Sequence, residues 1–223
     1  MCIRDRPKGP VIGNRNAIVL LVDFNDNVST LNPSYFTNLL FSLNPSNPYS
    51  MRDYYQEVSY GQLDITGTVS SWYRAPENYS YYTAGSYGFG AYPNNSQKLV
   101  EDLVALADPD IDFSQYDLDG DNYVDAFIVV HAGPGAESTG DTNDIWSHKW
   151  QTLNPILTDD GVYVYEYDMQ PEFIWDGQQN QNVTIGVFCH ELGHIFGLPD
   201  LYDIDYSSAG IGDWGLMASG SWN

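Results

Sequence analysis

The sequence predicts an α/β domain, a β-sheet backed by helices with one helix carrying metal-ligating side chains. Three observations predict it. The runs Asn16 to Phe24 and Ala126 to Val130 are short, continuously apolar and rich in Val and Ile, as strands buried on both faces are. Ser96 to Ala107 sets Leu99, Val100, Leu103, Val104 and Leu106 in a broad apolar stripe at helical spacing, fit to back a sheet. Cys189 to Asp200, CHELGHIFGLPD, places His190 and His194 one helical turn apart on one face.

The remaining elements follow from local signals. Asn32-Pro33-Ser34 starts a helix that runs to about Ser42, with Tyr35, Leu39 and Leu40 as its apolar positions. A Pro-rich break over Asn44 to Pro48 leads to a second helix, capped at Ser50, with Tyr54, Tyr55 and Val58 facing inward and Gly61 past its end. Leu63 to Thr66 and Val69 to Tyr73 alternate like a short hairpin around Gly67. Ala75 to Asn95, dense in Tyr, Gly, Asn and Ser, reads as a long aromatic loop, either a wall of a substrate cleft or a surface excursion packed by its own rings. Ser96 caps the backing helix, Ile145 to His148 and Val162 to Tyr167 read as strands, and a helix starting near Thr184 carries the two histidines.

Length and composition exclude several classes. At 223 residues the chain can bury a core without disulfides or metal, and no repeat, linker or low-complexity tract divides it. Thirty Asp and Glu against eight Lys and Arg give a net charge of −22, which repels phosphate backbones and excludes nucleic acid as a partner. Much of the acid is Asp in Gly- and Asn-rich loops, which suits divalent cations and equally a solvated surface. No apolar run is long enough for an integral membrane segment. Residues 1–13 read as a disordered or artefactual leader without an apolar signal region, and 14–223 as one domain cut short at its C-terminus. Cys2 and Cys189 do not suggest a bridge, and Cys189 reads as a packed core residue.

Asp117 to Asp125, DLDGDNYVD, offers carboxylates at alternate positions, Asp117, Asp119 and Asp121, with the Tyr123 carbonyl and Asp125 as further oxygen ligands. The pattern suits Ca²⁺, although Ile128 stands where an EF-hand carries Glu and Asn122 where it carries Gly. An Asx-rich turn without metal is the other reading. His131 and His148, at strand ends, read as packed residues.

His190 and His194 can reach one Zn²⁺ from a single helix face, and a catalytic zinc takes a third protein ligand. No Glu follows Glu191 and no His follows His194, which leaves Asp200, Asp203, Asp205 and Asp213. Gly197 can end the helix in a left-handed turn, and Asp200, three residues on, is the best placed of the four. Glu191 beside the metal is the natural proton acceptor, so the motif points to metal-assisted amide hydrolysis. His148, Tyr202 and Tyr206 are candidates for stabilising the oxyanion.

HELGHIFGLPD matches the extended metzincin motif, and Met217 in GLMAS stands where a Met-turn passes beneath the metal. Together with IVLLVDF, DYYQEVSYGQLDITG, YDLDGDNYVDAFIVVHAGPG, IWSHKW and DWGLMASGSW, the chain from about residue 14 to 223 resembles immune inhibitor A-type bacterial secreted metalloproteases. The resemblance implies a metzincin-like catalytic domain, with a twisted mixed sheet, backing helices and an active-site helix. It implies a secreted zinc endopeptidase acting on proteins or peptides, with Ca²⁺ as a second ion. By that match His190, His194 and Asp200 ligate zinc, Glu191 is the general base and acid, and Met217 is the floor of the site. The contrasting expectation is a calcium-stabilised extracellular binding or adhesion module with a degenerate or structural zinc site; the intact Glu191 speaks against it, since a structural site needs no base.

Overall fold

The computed structural model describes residues 11–43, 50–203, 205, 207–208 and 210–222. The break at Asn44 to Pro48, most of the leader with Cys2, and Tyr206 lie outside the described residues. The sheet runs in the order β2 (Leu63–Arg74), β1 (Gly13–Asp23), β3 (Ala126–Pro134), β5 (Tyr163–Trp175), β4 (His148–Leu157), with the short β6 (Asn180–Asn182) paired to β5. The first four are mutually parallel; β4 and β6 are antiparallel to β5. This is a mixed α/β sheet with β4 at one edge.

Helices cover both faces, which is why β1 and β3 read as unbroken apolar runs. Ile18, Leu20 and Val22 point to a core shared with α4 (Ser96–Ala107) and the short α3 (Tyr79–Thr83). Ala17, Val19 and Leu21 point the other way, to α1 (Pro33–Phe41), α2 (Met51–Val58) and α6 (Ile185–Ile195). Parallel neighbours need crossovers, and α1 with α2 supplies the one from β1 to β2 on the second face. The caps are local: Asn32 accepts from the Ser34 amide, and Ser50 forms a reciprocal capping box with Asp53.

Several local readings are corrected. Leu63 to Tyr73 is no hairpin but lies within one strand parallel to β1. Gly67 is there for close approach: a Cβ would collide with the Phe41 ring of α1 and the Ala17 carbonyl, so a side chain is excluded where a turn seemed intended. Val58 and Leu106 are exposed, outside the apolar stripes assigned to them. Asn95, rather than Ser96, caps α4 by accepting from the Lys98 amide, and Ser96 is its first residue. The aromatic loop contains α3, with Tyr79 and Tyr82 buried. The strand expected at Ile145 to His148 begins at His148, and the one expected to stop at Tyr167 continues to Trp175.

That continuation shapes the site. Tyr167 and Met169 face the α4 side, while Asp168, Gln170 and Glu172, fully buried, alternate with them. Glu172 accepts from the amides of Thr30, Leu31 and Gly133 and fixes the loop after β1. Gln170 donates to Asp168 at 2.6 Å and reaches the Val187 carbonyl of α6 at 3.4 Å.

Candidate metal centre

Helix α6 buries Phe188, Cys189, Leu192 and Ile195 against the sheet and turns His190 and His194 toward a cleft. It stops in a Schellman motif: the Gly197 amide donates to the His194 carbonyl (2.9 Å) and the Leu198 amide to the Gly193 carbonyl (2.9 Å). Gly197 has φ +89°, which a residue with a Cβ adopts only under strain. The chain therefore reverses as its glycine requires, and Asp200 comes back over the helix.

Three donor atoms converge there. The Asp200 Oδ1 lies 3.3 Å from His190 Nε2 and 3.1 Å from His194 Nε2. Four ligands about 2.1 Å from a tetrahedral ion stand roughly 3.4 Å apart, so this spacing fits a zinc-sized ion. Both Nδ1 atoms are committed elsewhere, His190 to the Leu216 carbonyl (2.8 Å) and His194 to the Leu198 carbonyl (2.7 Å). A carbonyl only accepts, so each Nδ1 carries the proton and each Nε2 keeps its lone pair for a metal. On the outer side Tyr202 donates to Asp200 Oδ2 at 2.9 Å. Burial works against charging the two imidazoles, but the Asp200 carboxylate outweighs it and their pKa values are raised. Burial would likewise raise the Asp200 pKa; the imidazoles reverse this and hold its carboxyl well below the usual range.

Glu191 presents its carboxylate within 4.8 Å of both imidazoles. Its Oε2 accepts from the Lys149 amide at 2.7 Å, so the edge strand β4 sets its orientation. Burial raises its pKa, opposed by the imidazoles and that amide. The Met217 thioether lies against Gly193, the residue before His194, where a Cβ would stand 2.8 Å from the sulfur. At the other end of α6 the absence of a Cβ on Gly186 admits the Ser221 carbonyl.

Other expected residues stand apart from these donor atoms. Among the remaining acidic candidates, Asp203 accepts from Ser207 and Ser208 in its own loop. His131 is buried in β3 with its ring stacked on Tyr79, and burial lowers its pKa to about 4. His148 lines the cleft, but its Nδ1 is held by the Trp146 carbonyl (2.6 Å) and its Nε2 faces the Tyr167 hydroxyl (3.3 Å). Cys189 is buried, and burial first, then Asp168, pushes its thiol pKa up. Asp117, Asp119 and Asp121 bring carboxylate oxygens within 4.8 Å of one another. Asp117 accepts from the amides of Gly120, Asp121 and Asn122, while Asp125 accepts from that of Leu118 and is raised by burial and then by Asp119.

Two features have no motif to reveal them. One is the Lys149 amide, a backbone group. The other is Asp168, opposite Lys149 in the β4–β5 register, fully buried, with its Oδ2 lacking a hydrogen-bond partner. Burial, then Glu191, raises its pKa well above the ordinary 3.8, so the folded protein holds a proton that the unfolded chain releases. That contribution to stability is fully present below the unfolded pKa and is lost as pH rises through the folded one. Asp168→Asn removes the loss. Thermal unfolding at pH 5 and pH 8 is expected to show a smaller decline for the variant, and parallel declines would show that Asp168 ionises freely.

Paired imidazoles on a helix, a carboxylate returned to them by a glycine turn and a tethered glutamate beside them are the donor set that a metallohydrolase needs, carried on a mixed α/β sheet. The comparisons with known proteins narrow this class. The chain belongs to the immune inhibitor A peptidase M6 family, whose catalytic-domain model matches residues 24–223. It is 30% identical over 226 residues to the pre-pro-metalloprotease PrtV of Vibrio cholerae serotype O1, covering 85% of this chain and 24% of that protein. It is 31% identical over 210 residues to immune inhibitor A of Bacillus thuringiensis subsp. alesti, covering 78% of this chain and 28% of that protein. The chain thus spans about a quarter of the length of these curated relatives.

Proposed function

We propose that this chain is the catalytic domain of a metzincin-like, secreted zinc endopeptidase that hydrolyses peptide bonds in proteins or peptides. The observation that carries the reading is the convergence of His190 Nε2, His194 Nε2 and Asp200 Oδ1 beside a glutamate held by a backbone amide. Zinc, when bound, supplies a Lewis acid that acidifies a water and polarises the scissile carbonyl. The protein supplies the rest. Glu191 takes the proton of the attacking water and passes it to the leaving amine, which its raised pKa suits. The Leu216 and Leu198 carbonyls hold the imidazoles in the ligating tautomer, and Met217 is the floor on which the ligands rest. The test is cleavage of casein or a quenched peptide by the zinc-loaded chain. No cleavage by protein shown to hold zinc would overturn it.

Export is supported by the word pre-pro in the name of the Vibrio relative. Among the described residues no helix is long and apolar enough to cross a membrane. The net charge of −22 opposes nucleic acid as a partner. The calcium site belongs to the same proposal, with Asp117, Asp119, Asp121, the Tyr123 carbonyl and Asp125 as ligands. Adding Ca²⁺ at 100 times its Kd to chelator-treated protein is expected to stabilise the fold by about 2.7 kcal/mol. That is a rise in Tm of roughly 5–10 °C. Asp119→Asn should shrink the rise, and an equal Tm with and without Ca²⁺ would leave the loop as an Asx turn.

A further inference from the structure

One wall of the cleft is aromatic and carries no ligand of the metal. The cavity, about 360 Å³, is shared by the metal centre with Phe89, Trp146, His148 and Trp150. The Phe89 ring lies 4.6 Å from the His148 imidazole and 5.8 Å from the Trp150 ring, centroid to centroid, and His148 and Trp150 are 6.1 Å apart. Phe89 is nonetheless 46% exposed, so these contacts leave part of its surface open. His148 and Trp150 flank Lys149 on β4, whose amide holds Glu191. Two members of the aromatic wall therefore stand on the strand whose Lys149 amide holds Glu191.

The loop that delivers Phe89 is fixed before any substrate arrives. The Tyr87 amide donates to the Thr142 carbonyl (3.0 Å), the Trp146 amide to the Tyr87 carbonyl (3.1 Å), and the Ser96 amide to the Gly88 carbonyl (2.8 Å). Ala84 and Tyr87 sit at φ +46° and +58°, a left-handed conformation costly for residues with a Cβ, and Gly88 has no room for one against Ser96 and Ile145. Strain of this kind persists where the surroundings over-determine it, commonly at ligand clamps.

The chemistry of the wall selects its occupant. Outside the metal centre no carboxylate lines the cavity among the described residues, and the Lys149 ammonium is paired with Glu166 at 2.8 Å. His148 is uncharged at neutral pH, burial having lowered its pKa to about 4. Aromatic faces attract cations as well, but the wall itself carries no carboxylate to pair with one.

We propose that Phe89, His148 and Trp150 form a specificity wall that takes a large apolar side chain, aromatic or long aliphatic, beside the scissile bond of a peptide. The assignment rests on the endopeptidase reading of the metal centre and adds the substrate class. The test uses zinc-loaded protein and quenched peptides identical except for Phe, Leu, Gly, Asp or Lys next to the cleaved bond. Phe and Leu peptides are expected to show kcat/KM about tenfold above the Gly peptide, the scale of one well-packed apolar group in a pocket. Phe89→Ala should remove most of that advantage while sparing the Gly peptide, and Phe89→Leu should keep part of it. A uniform loss on all peptides, or a preference for Lys or Asp, would overturn the assignment. A second arm measures binding of the Phe and Gly peptides to Glu191→Gln by calorimetry. Preferential binding of the Phe peptide without cleavage by the wild-type chain would sink the peptidase reading and leave the wall standing. Equal binding would sink the wall.

Discussion

Glu191→Gln is expected to lower peptide cleavage by roughly 10³-fold, within the range for loss of a positioned general base, with zinc content unchanged. The amide has the shape of the carboxylate and its oxygen can still accept from the Lys149 amide, so the side chain stays where β4 holds it. It cannot take a proton from water at neutral pH. Because neither His190 nor His194 loses a contact to its carbonyl, metal binding survives. Turnover measured beside metal content separates the two roles. A variant that cleaves at the wild-type rate would place the base elsewhere, and one that loses zinc would make Glu191 part of the metal's support.

Asp200→Ala should act on the metal instead. Its Oδ1 is the contact shared by both Nε2 atoms, and its removal leaves two imidazoles without the anion that organises them. Changing a group that merely supports a ligand costs about 10–100-fold in affinity, so losing the ligand itself should cost more than about 100-fold. Competition with a zinc-binding dye measures this directly. Unchanged zinc affinity would exclude Asp200 as the third ligand. In the wild-type protein the raised pKa values of His190 and His194 add a proton competitor, so zinc affinity should fall as pH drops.

Much of this arrangement was legible in the residues. The period of β1, β3 and α6 is set by burial against neighbours on both faces, and such runs announce themselves locally. Gly197 was readable as a turn because its φ of +89° has a short-range cause in the end of a helix. Gly67 misled for the opposite reason. What excludes its side chain is a phenyl ring from α1, distant in sequence. Asp168, Gln170 and Glu172 hid the second half of β5, since an alternating polar strand reads as solvent-facing unless the helix above it is known. Phe89 and the Lys149 amide meet the site only through the placement of β4, which no local pattern encodes.

The bond from His190 Nδ1 to the Leu216 carbonyl spans 26 residues and ties the metal helix to the segment that carries Met217. Ser221 packs against the first turn of the same helix. On the proposed zinc reading, an ion held by His190, His194 and Asp200 would be a removable crosslink between α6 and the loop whose Leu201 amide donates to the Met217 carbonyl (2.7 Å), shrinking the freedom of the chain from α6 to Met217. Docking of the Met217 segment on α6 and capture of the ion would then be two faces of one equilibrium, each tightening the other by the same factor.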